Sequence, residues 1–139
     1  MDGGKKVSNS RDKARELILQ GLHLYCTSLD SFDVDMFLSL WGSDAYLDFS
    51  ERFRGMPKDF IKSVISRRGV NSYMSHKLGE VEIDLHEDLM TARSVSGVIA
   101  TVKTNSSDGY IERRIFGTYI DRWIFEDKWL IRHRIFRRT

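Results

Sequence analysis

From residue 73 to residue 137 the chain reads as strand throughout, with alternation of apolar and polar side chains clearest over 74–85. A period of two sends successive side chains to opposite faces, so this half of the chain must be built of strands. Met74, His76 and Leu78 share one face, and Val81, Ile83 and Leu85 share the next with opposite parity. Gly79 lies at the change of parity, which predicts a bulge there. His86-Glu87-Asp88 reads as a turn, residues 89–103 as a long strand, and Asn105-Ser106-Ser107-Asp108-Gly109 as a hairpin loop. Residues 110–125 form a further strand, Glu126-Asp127-Lys128 turns, and residues 129–137 return. Four consecutive strands joined by tight turns make an antiparallel meander. Strands this long must twist and curl, and a curled sheet has a concave apolar face that something else in the chain must cover.

The first half supplies the cover. Ala14, Leu17, Ile18, Gly21, Leu22, Tyr25 and Leu29 recur at spacings of three and four, which predicts an amphipathic helix over 10–29. Residues 1–9 read as a short disordered tail, with no apolar core behind their lysines that would make a secretory signal. Ser31 or Asp33 can cap a second helix over 33–42 that buries Val34, Phe37, Leu38 and Trp41. Ala45 to Phe49 alternate as a short strand, and Gly55 turns the chain. Pro57 pre-sets the first turn of a third helix, with Phe60, Ile61, Val64 and Ile65 inward and Gly69 at its end. The expectation is one α+β domain over 10–139: three helices packed on a strongly curved, mainly antiparallel sheet that encloses a pocket.

Charge and cysteine content narrow the class. Twenty-two basic and 20 acidic residues leave a formal charge of +2, less excess than a nucleic-acid binder usually shows. No apolar run approaches the ~20 residues of a membrane span. Cys26 is the single cysteine, so no intrachain disulfide can form. That suits a reducing, cytoplasmic setting, and the thiol reads as an inert core group. Arg132, Arg134, Arg137 and Arg138 read as a solvated strand edge and tail, with an anion-contacting patch as the alternative. Arg93, Arg113 and Asp121 alternate on long strands and could line a pocket mouth, a solvated sheet face being the plainer reading.

Two polar residues stand alone in apolar surroundings: Asp30 at the end of the first helix and His76 in the first long strand. An inward imidazole on a strand is ordinarily a hydrogen-bonded core group. It becomes a general base when a carboxylate fixes its tautomer and the ring reaches a cavity. The four histidines are scattered, without His-x-His or Glu-x-x-His spacing, and no glycine loop would cradle a phosphate. The expectation is therefore chemistry without metal or cofactor.

Leu29-Asp30-Ser31-Phe32-Asp33-Val34-Asp35 and Trp41-Gly42-Ser43-Asp44-Ala45-Tyr46-Leu47-Asp48-Phe49 resemble the N-terminal signature of SnoaL-like and scytalone-dehydratase-like proteins, a branch of the nuclear-transport-factor-2-like cone fold. Arg54-Gly55-Met56-Pro57 resembles that branch's glycine turn, and Ser75-His76-Lys77-Leu78 its histidine strand. Gly117-Thr118-Tyr119-Ile120-Asp121-Arg122, with Lys128 to Arg134, resembles its closing hairpin. The resemblance implies a cone-shaped α+β barrel. It also implies that Asp30 orients His76 as a general base, with Tyr25 as the tyrosine that some dehydratases place five residues before the aspartate. A second histidine that scytalone dehydratase carries in the middle strand is absent; Ser94, Ser96, Gly97 and Ala100 stand there instead and imply room.

On this reading the chain is a cofactor-independent lyase of the dehydratase type, or a related isomerase or cyclase. His76, Asp30 and Tyr25 are its catalytic residues. Tyr46, Phe49, Ser94, Ser96 and Tyr119 contact a small hydrophobic cyclic or polyketide-like substrate. The competing reading is a non-catalytic ligand-binding or assembly module of the same fold. An epoxide hydrolase built on Arg93 and Asp121 ranks below both. No nucleic-acid or membrane partner is expected. The apolar strand end Trp123-Ile124-Phe125 predicts a homo-oligomer, dimer or trimer, through the sheet face.

Overall fold

The computed structural model describes residues 3–68 and 72–139, with side chains from residue 10 onward. Helix α1 spans Gly3–Ser31. It therefore begins well before the expected start at residue 10, and most of the expected tail has helical backbone. Extending an existing helix adds one hydrogen bond per residue fixed, and nothing between Lys5 and Asn9 interrupts it. Ile18, Leu22 and Tyr25 are fully buried on one face, with Ala14, Cys26 and Leu29 beside them. Phe32 ends the helix in the left-handed conformation at φ 58°. Asp33 then caps α2, Val34–Ser39, by accepting the Met36 N–H at 3.1 Å.

Helix α2 is shorter than the 33–42 predicted. Of its apolar residues only Phe37 is fully buried, and Leu38 is 39% exposed. Trp41 is buried as expected, but it opens strand β1, Trp41–Asp48. β1 turns through Ser50, at φ 58°, into the two-residue β2, Arg54–Gly55. Helix α3, Pro57–Arg67, starts with proline in its first turn. Phe60 and Ile61 face in, whereas Ile65 is 46% exposed and points away from the core. Gly69, expected to end this helix, lies outside the described residues.

Strands β3 (Ser72–Leu85), β4 (Thr91–Ser106), β5 (Gly109–Glu126) and β6 (Lys128–Arg138) form the predicted meander. The six-stranded sheet has the order β2-β1-β6-β5-β4-β3, antiparallel except where β1 runs parallel to β6. It is open, with β2 and β3 at its edges. The β3–β4 register slips between Leu78 and Val81, so the bulge lies at Gly79 as expected. Gly79 and Gly97 face each other there, and a Cβ on Gly79 would sit 3.8 Å from the Gly97 backbone.

A second slip, between Arg122 and Trp123, decides more. Arg122 pairs with His133 and Trp123 with Ile131, so Arg132 is an extra residue on β6. The bulge lets Ile131 and Arg134 both face inward, which strict alternation forbids. Helix α1 crosses β3 over the concave face, and α3 closes the end nearer β1. Trp123, expected either in the core or at a subunit contact, is core at 2% exposure. Among the described residues no helix is long and apolar enough to cross a membrane.

Candidate functional site

Asp30 reaches β3 because the last turn of α1 lies against that strand. Its Oδ1 is 2.6 Å from His76 Nδ1, and its Oδ2 accepts the His76 backbone N–H at 2.9 Å. Both carboxylate oxygens are thus committed to one residue. A carboxylate at Nδ1 places the ring proton there and leaves Nε2 as the basic nitrogen. The His76 side chain is 9% exposed and Asp30 27%.

His76 lines a cavity of about 340 Å³ between α3, the β1–β2 loop and the concave end of β3, β4 and β5. That is the small end of the ~300–1,000 Å³ range of small-molecule sites. Ala100, directly across from His76 in the register, leaves space beside the imidazole. Tyr119, Phe49 and Phe136 form one wall, with ring centroids 5.5–6.3 Å apart.

Behind that wall lies a buried polar chain. Trp123 Nε1 donates to Ser94 Oγ at 2.8 Å, and Ser94 Oγ donates to Asp121 Oδ2 at 3.2 Å. Arg134 donates through Nε and one terminal nitrogen to the two Asp121 oxygens at 2.6 and 2.9 Å. Its guanidinium is sandwiched between the rings of Tyr25 (4.0 Å) and Tyr119 (3.9 Å). Asp121 and Arg134 are both 0% exposed. Burial disfavours the arginine's charge, but the adjoining Asp121 carboxylate outweighs it and holds Arg134 above its ordinary value. Burial also pushes the Tyr25 phenol up to about 12 and Tyr119 well above its usual range, the Arg134 charge offsetting only part. Both hydroxyls are therefore neutral donors at physiological pH.

The structure brings together Asp30, His76, Phe49 and Tyr119 and corrects the other expectations. Tyr25 is fully buried behind the cavity, its ring edge-on to His76 at 6.5 Å and its hydroxyl without a hydrogen-bond partner among the described residues. It does not reach the cavity wall, because its helix face packs on Arg134 rather than on open space. Ser94 and Ser96 are fully buried away from the cavity: Ser94 is occupied by Trp123 and Asp121, and Ser96 lies opposite Tyr119. The room those serines imply is filled by buried side chains. Tyr46 is 42% exposed on the outer sheet face against His133, since Ala45 and Leu47 take the inward positions of β1. Arg93 is on the outer face too, so the partner of Asp121 is Arg134, directly opposite it.

Arg134 is the residue that reading the sequence misses. A signal existed: Asp121 shares its parity with Tyr119 and Trp123, and an inward carboxylate needs a buried cation. Among the described residues no group of three or more His, Cys, Asp or Glu side chains could hold a metal ion.

Residues 11–135 match the family model for a SnoaL-like domain. No curated protein matches the sequence closely. Solved structures share the fold at low identity. A provisionally assigned scytalone dehydratase from Novosphingobium aromaticivorans superposes with a TM-score of 0.80 at 18% identity, over 95% of this chain and 88% of its own. The hexachlorocyclohexane dehydrochlorinase LinA-type3 from Novosphingobium barchaimii gives 0.79 at 15%, over 95% and 90%. A protein of unknown function from Mycobacterium tuberculosis, solved as a single-substitution variant, gives 0.71 at 18%, over 95% and 75%. The chain belongs to the SnoaL-like family, within the nuclear-transport-factor-2-like superfamily of cone folds.

Proposed function

We propose that this protein is a cofactor-independent lyase in which His76 is the general base and Asp30 orients it. The observation that carries the reading is the 2.6 Å Asp30–His76 contact on the wall of a largely apolar cavity. Nε2 takes a proton from a carbon made acidic by a neighbouring electron-withdrawing group. The C–H electron pair becomes a new double bond, and the leaving group departs with its own bonding pair. The imidazolium formed is stabilised by the Asp30 carboxylate. Tyr119, a neutral phenol whose ring lines the same wall, is our candidate donor of a hydrogen bond to the activating or leaving oxygen or halogen. Arg134, stacked beneath that ring, supports negative charge developing there. The neighbours named dehydratase and dehydrochlorinase would both perform eliminations, which agrees with this class. The cavity's volume and aromatic wall support a substrate that is a small, mainly hydrophobic ring or folded chain.

The test is a panel of β-hydroxy ketones and β-halo compounds followed by the absorbance of the conjugated product. His76→Ala should lower turnover by about 10²–10⁴, the usual contribution of a positioned base. Its thermal midpoint should shift little, because Asp30 keeps its bond to the residue 76 backbone N–H. Normal turnover by the variant refutes the dyad. A large loss of stability with no elimination from any compound would favour a non-catalytic binding module instead.

A further inference from the structure

The cavity's mouth is cationic, with no counter-charge among its described lining residues. Arg52, Arg67, Arg68 and Arg113 line it, and among the described lining residues there is no aspartate or glutamate. Overall charge does not account for this, since the chain is nearly balanced. Five arginines elsewhere pair with carboxylates, Arg15 with Asp12, Arg54 with Asp48, Arg114 with Glu112, Arg132 with Asp44 and Arg134 with Asp121, while the other unpaired ones among the described residues, such as Arg93 and Arg122, are spread along the strands and chain ends. At the mouth two are held by neutral groups. Arg67 donates to the Ser63 carbonyl and hydroxyl, and Arg68 stacks 3.3 Å above the Phe32 ring while donating to the Ser72 carbonyl. Arg52 and Arg113 make no ion pair or side-chain hydrogen bond among the described residues.

Three segments contribute to this convergence. Arg52 sits in the β1–β2 loop. Arg113 lies on β5 opposite Val102, in the inward parity of Ile115 and Gly117. Arg67 ends α3. Burial, and after it the like charges of Arg138, Arg113 and Arg67, hold Arg52 below its ordinary value, as expected for cations gathered without an anion. Exposure is graded with depth: Arg52, Arg67 and Arg113 are exposed, whereas His76 and Tyr119 are nearly closed off. Between them lie Phe53, Phe60, Val64, Met74 and Ile115. The site thus has a polar entrance, an apolar middle and a reactive end.

We infer that the ligand of this cavity is an amphipathic anion, whose apolar body fills the aromatic interior while a carboxylate or phosphate group is held at the mouth by Arg52 and Arg113. The guanidinium fork matches either oxyanion bidentately, and its fixed geometry sets how deep the body enters. Unpaired cations at a low-dielectric opening also raise the local concentration of anions. Such an anion is the substrate class of the proposed lyase. Its catalytic meaning rests on that reading, though the binding itself needs no turnover.

The test is equilibrium binding by the full chain of three probes of similar shape: 2-naphthoate, 2-naphthyl phosphate and the neutral 2-naphthalenemethanol. At least one anion should bind tenfold or more tightly than the alcohol in low salt. Which anion is preferred identifies the headgroup. Raising sodium chloride from about 50 to 500 mM should erode that preference, because exposed charges are screened beyond a few ångströms. The double variant Arg52→Gln/Arg113→Gln should lose the preference while binding the alcohol as before; among the described residues these exposed side chains make no ion pair or hydrogen bond whose loss would unfold the chain. His76→Ala should retain it, so an anion preference without any elimination activity would sink the lyase reading alone. Equal binding of alcohol and anions, no binding of either anion, or a preference that survives in the double variant overturns the inference.

Discussion

Replacing Arg134 with methionine tests how the interior is held together. The substitution keeps much of the volume and removes the cation that pairs with Asp121, which is 0% exposed and receives two bonds from Arg134 at 2.6 and 2.9 Å. Ser94 remains as a side-chain donor at 3.2 Å. Breaking a buried pair from one side leaves an uncompensated charge, at a cost of about 3–5 kcal/mol. The stacking on Tyr25 and Tyr119 is lost as well, and cation–π contacts of this kind contribute about 0.5–2 kcal/mol each. The lower figure alone is a large part of the ~5–15 kcal/mol that holds a domain folded. In urea, a loss of about 4 kcal/mol would move the midpoint down by roughly 2 M. The companion Arg134→Met/Asp121→Leu removes both charges and leaves the Trp123–Ser94 bond intact. It should recover most of the loss, because a buried pair exchanged for apolar side chains of similar size is often neutral. Urea unfolding of wild type, both singles and the double gives the coupling energy directly. A single Arg134→Met cost below about 1 kcal/mol, or a double equal to the sum of the singles, would refute the account.

Alkaline titration probes the same interior. Tyr25 moves from 10.0 to about 12 through burial, so its ionisation is resisted in the folded state. With the folded value raised, the stability it contributes is complete below pH 10 and is lost as pH rises from about 10 to 12. Tyr25→Phe should flatten that part of the stability profile, measured as the urea midpoint at each pH, and an unchanged slope would count against burial as the cause. Burial pushes the Cys26 thiol up to about 11, so its reaction with a disulfide reagent at pH 8 should be at least tenfold slower in the native protein than in denaturant. Gly117→Ala should cost about 1–3 kcal/mol, because its Cβ would overlap the Phe136 ring and lie 2.7 Å from the Arg137 carbonyl. Its thermal midpoint checks this, and a stable variant would mean that the two strands can part locally. Asp30→Asn should lower turnover by about 10² or more with little change in fold, since the amide can still accept the His76 backbone N–H but no longer stabilises the imidazolium.

The sequence by itself determined the layers and singled out Asp30 and His76, whose pairing only the family resemblance implied and the fold shows. Period-two alternation from residue 73 fixed four strands and the bulge at Gly79, and the three- and four-residue spacing of Ile18, Leu22, Tyr25 and Leu29 fixed the buried face of α1. Both are local patterns, and local patterns survive in one dimension. Asp30 and His76 stood out because a polar residue in an apolar run needs a partner, and each proved to be the other's. What alternation could not reveal was the face taken by Arg134. That depends on the extra residue at Arg132, a feature of strand pairing rather than of β6 alone. The same limit placed Tyr46 outside and drew Ser94 and Ser96 into the core, since how deeply a residue lies depends on what packs above it. The arginine mouth is the clearest case. Arg52, Arg67 and Arg113 come from a loop, a helix end and a strand far apart in the chain, and only the folding of α3 over the curved sheet brings their charges to one opening.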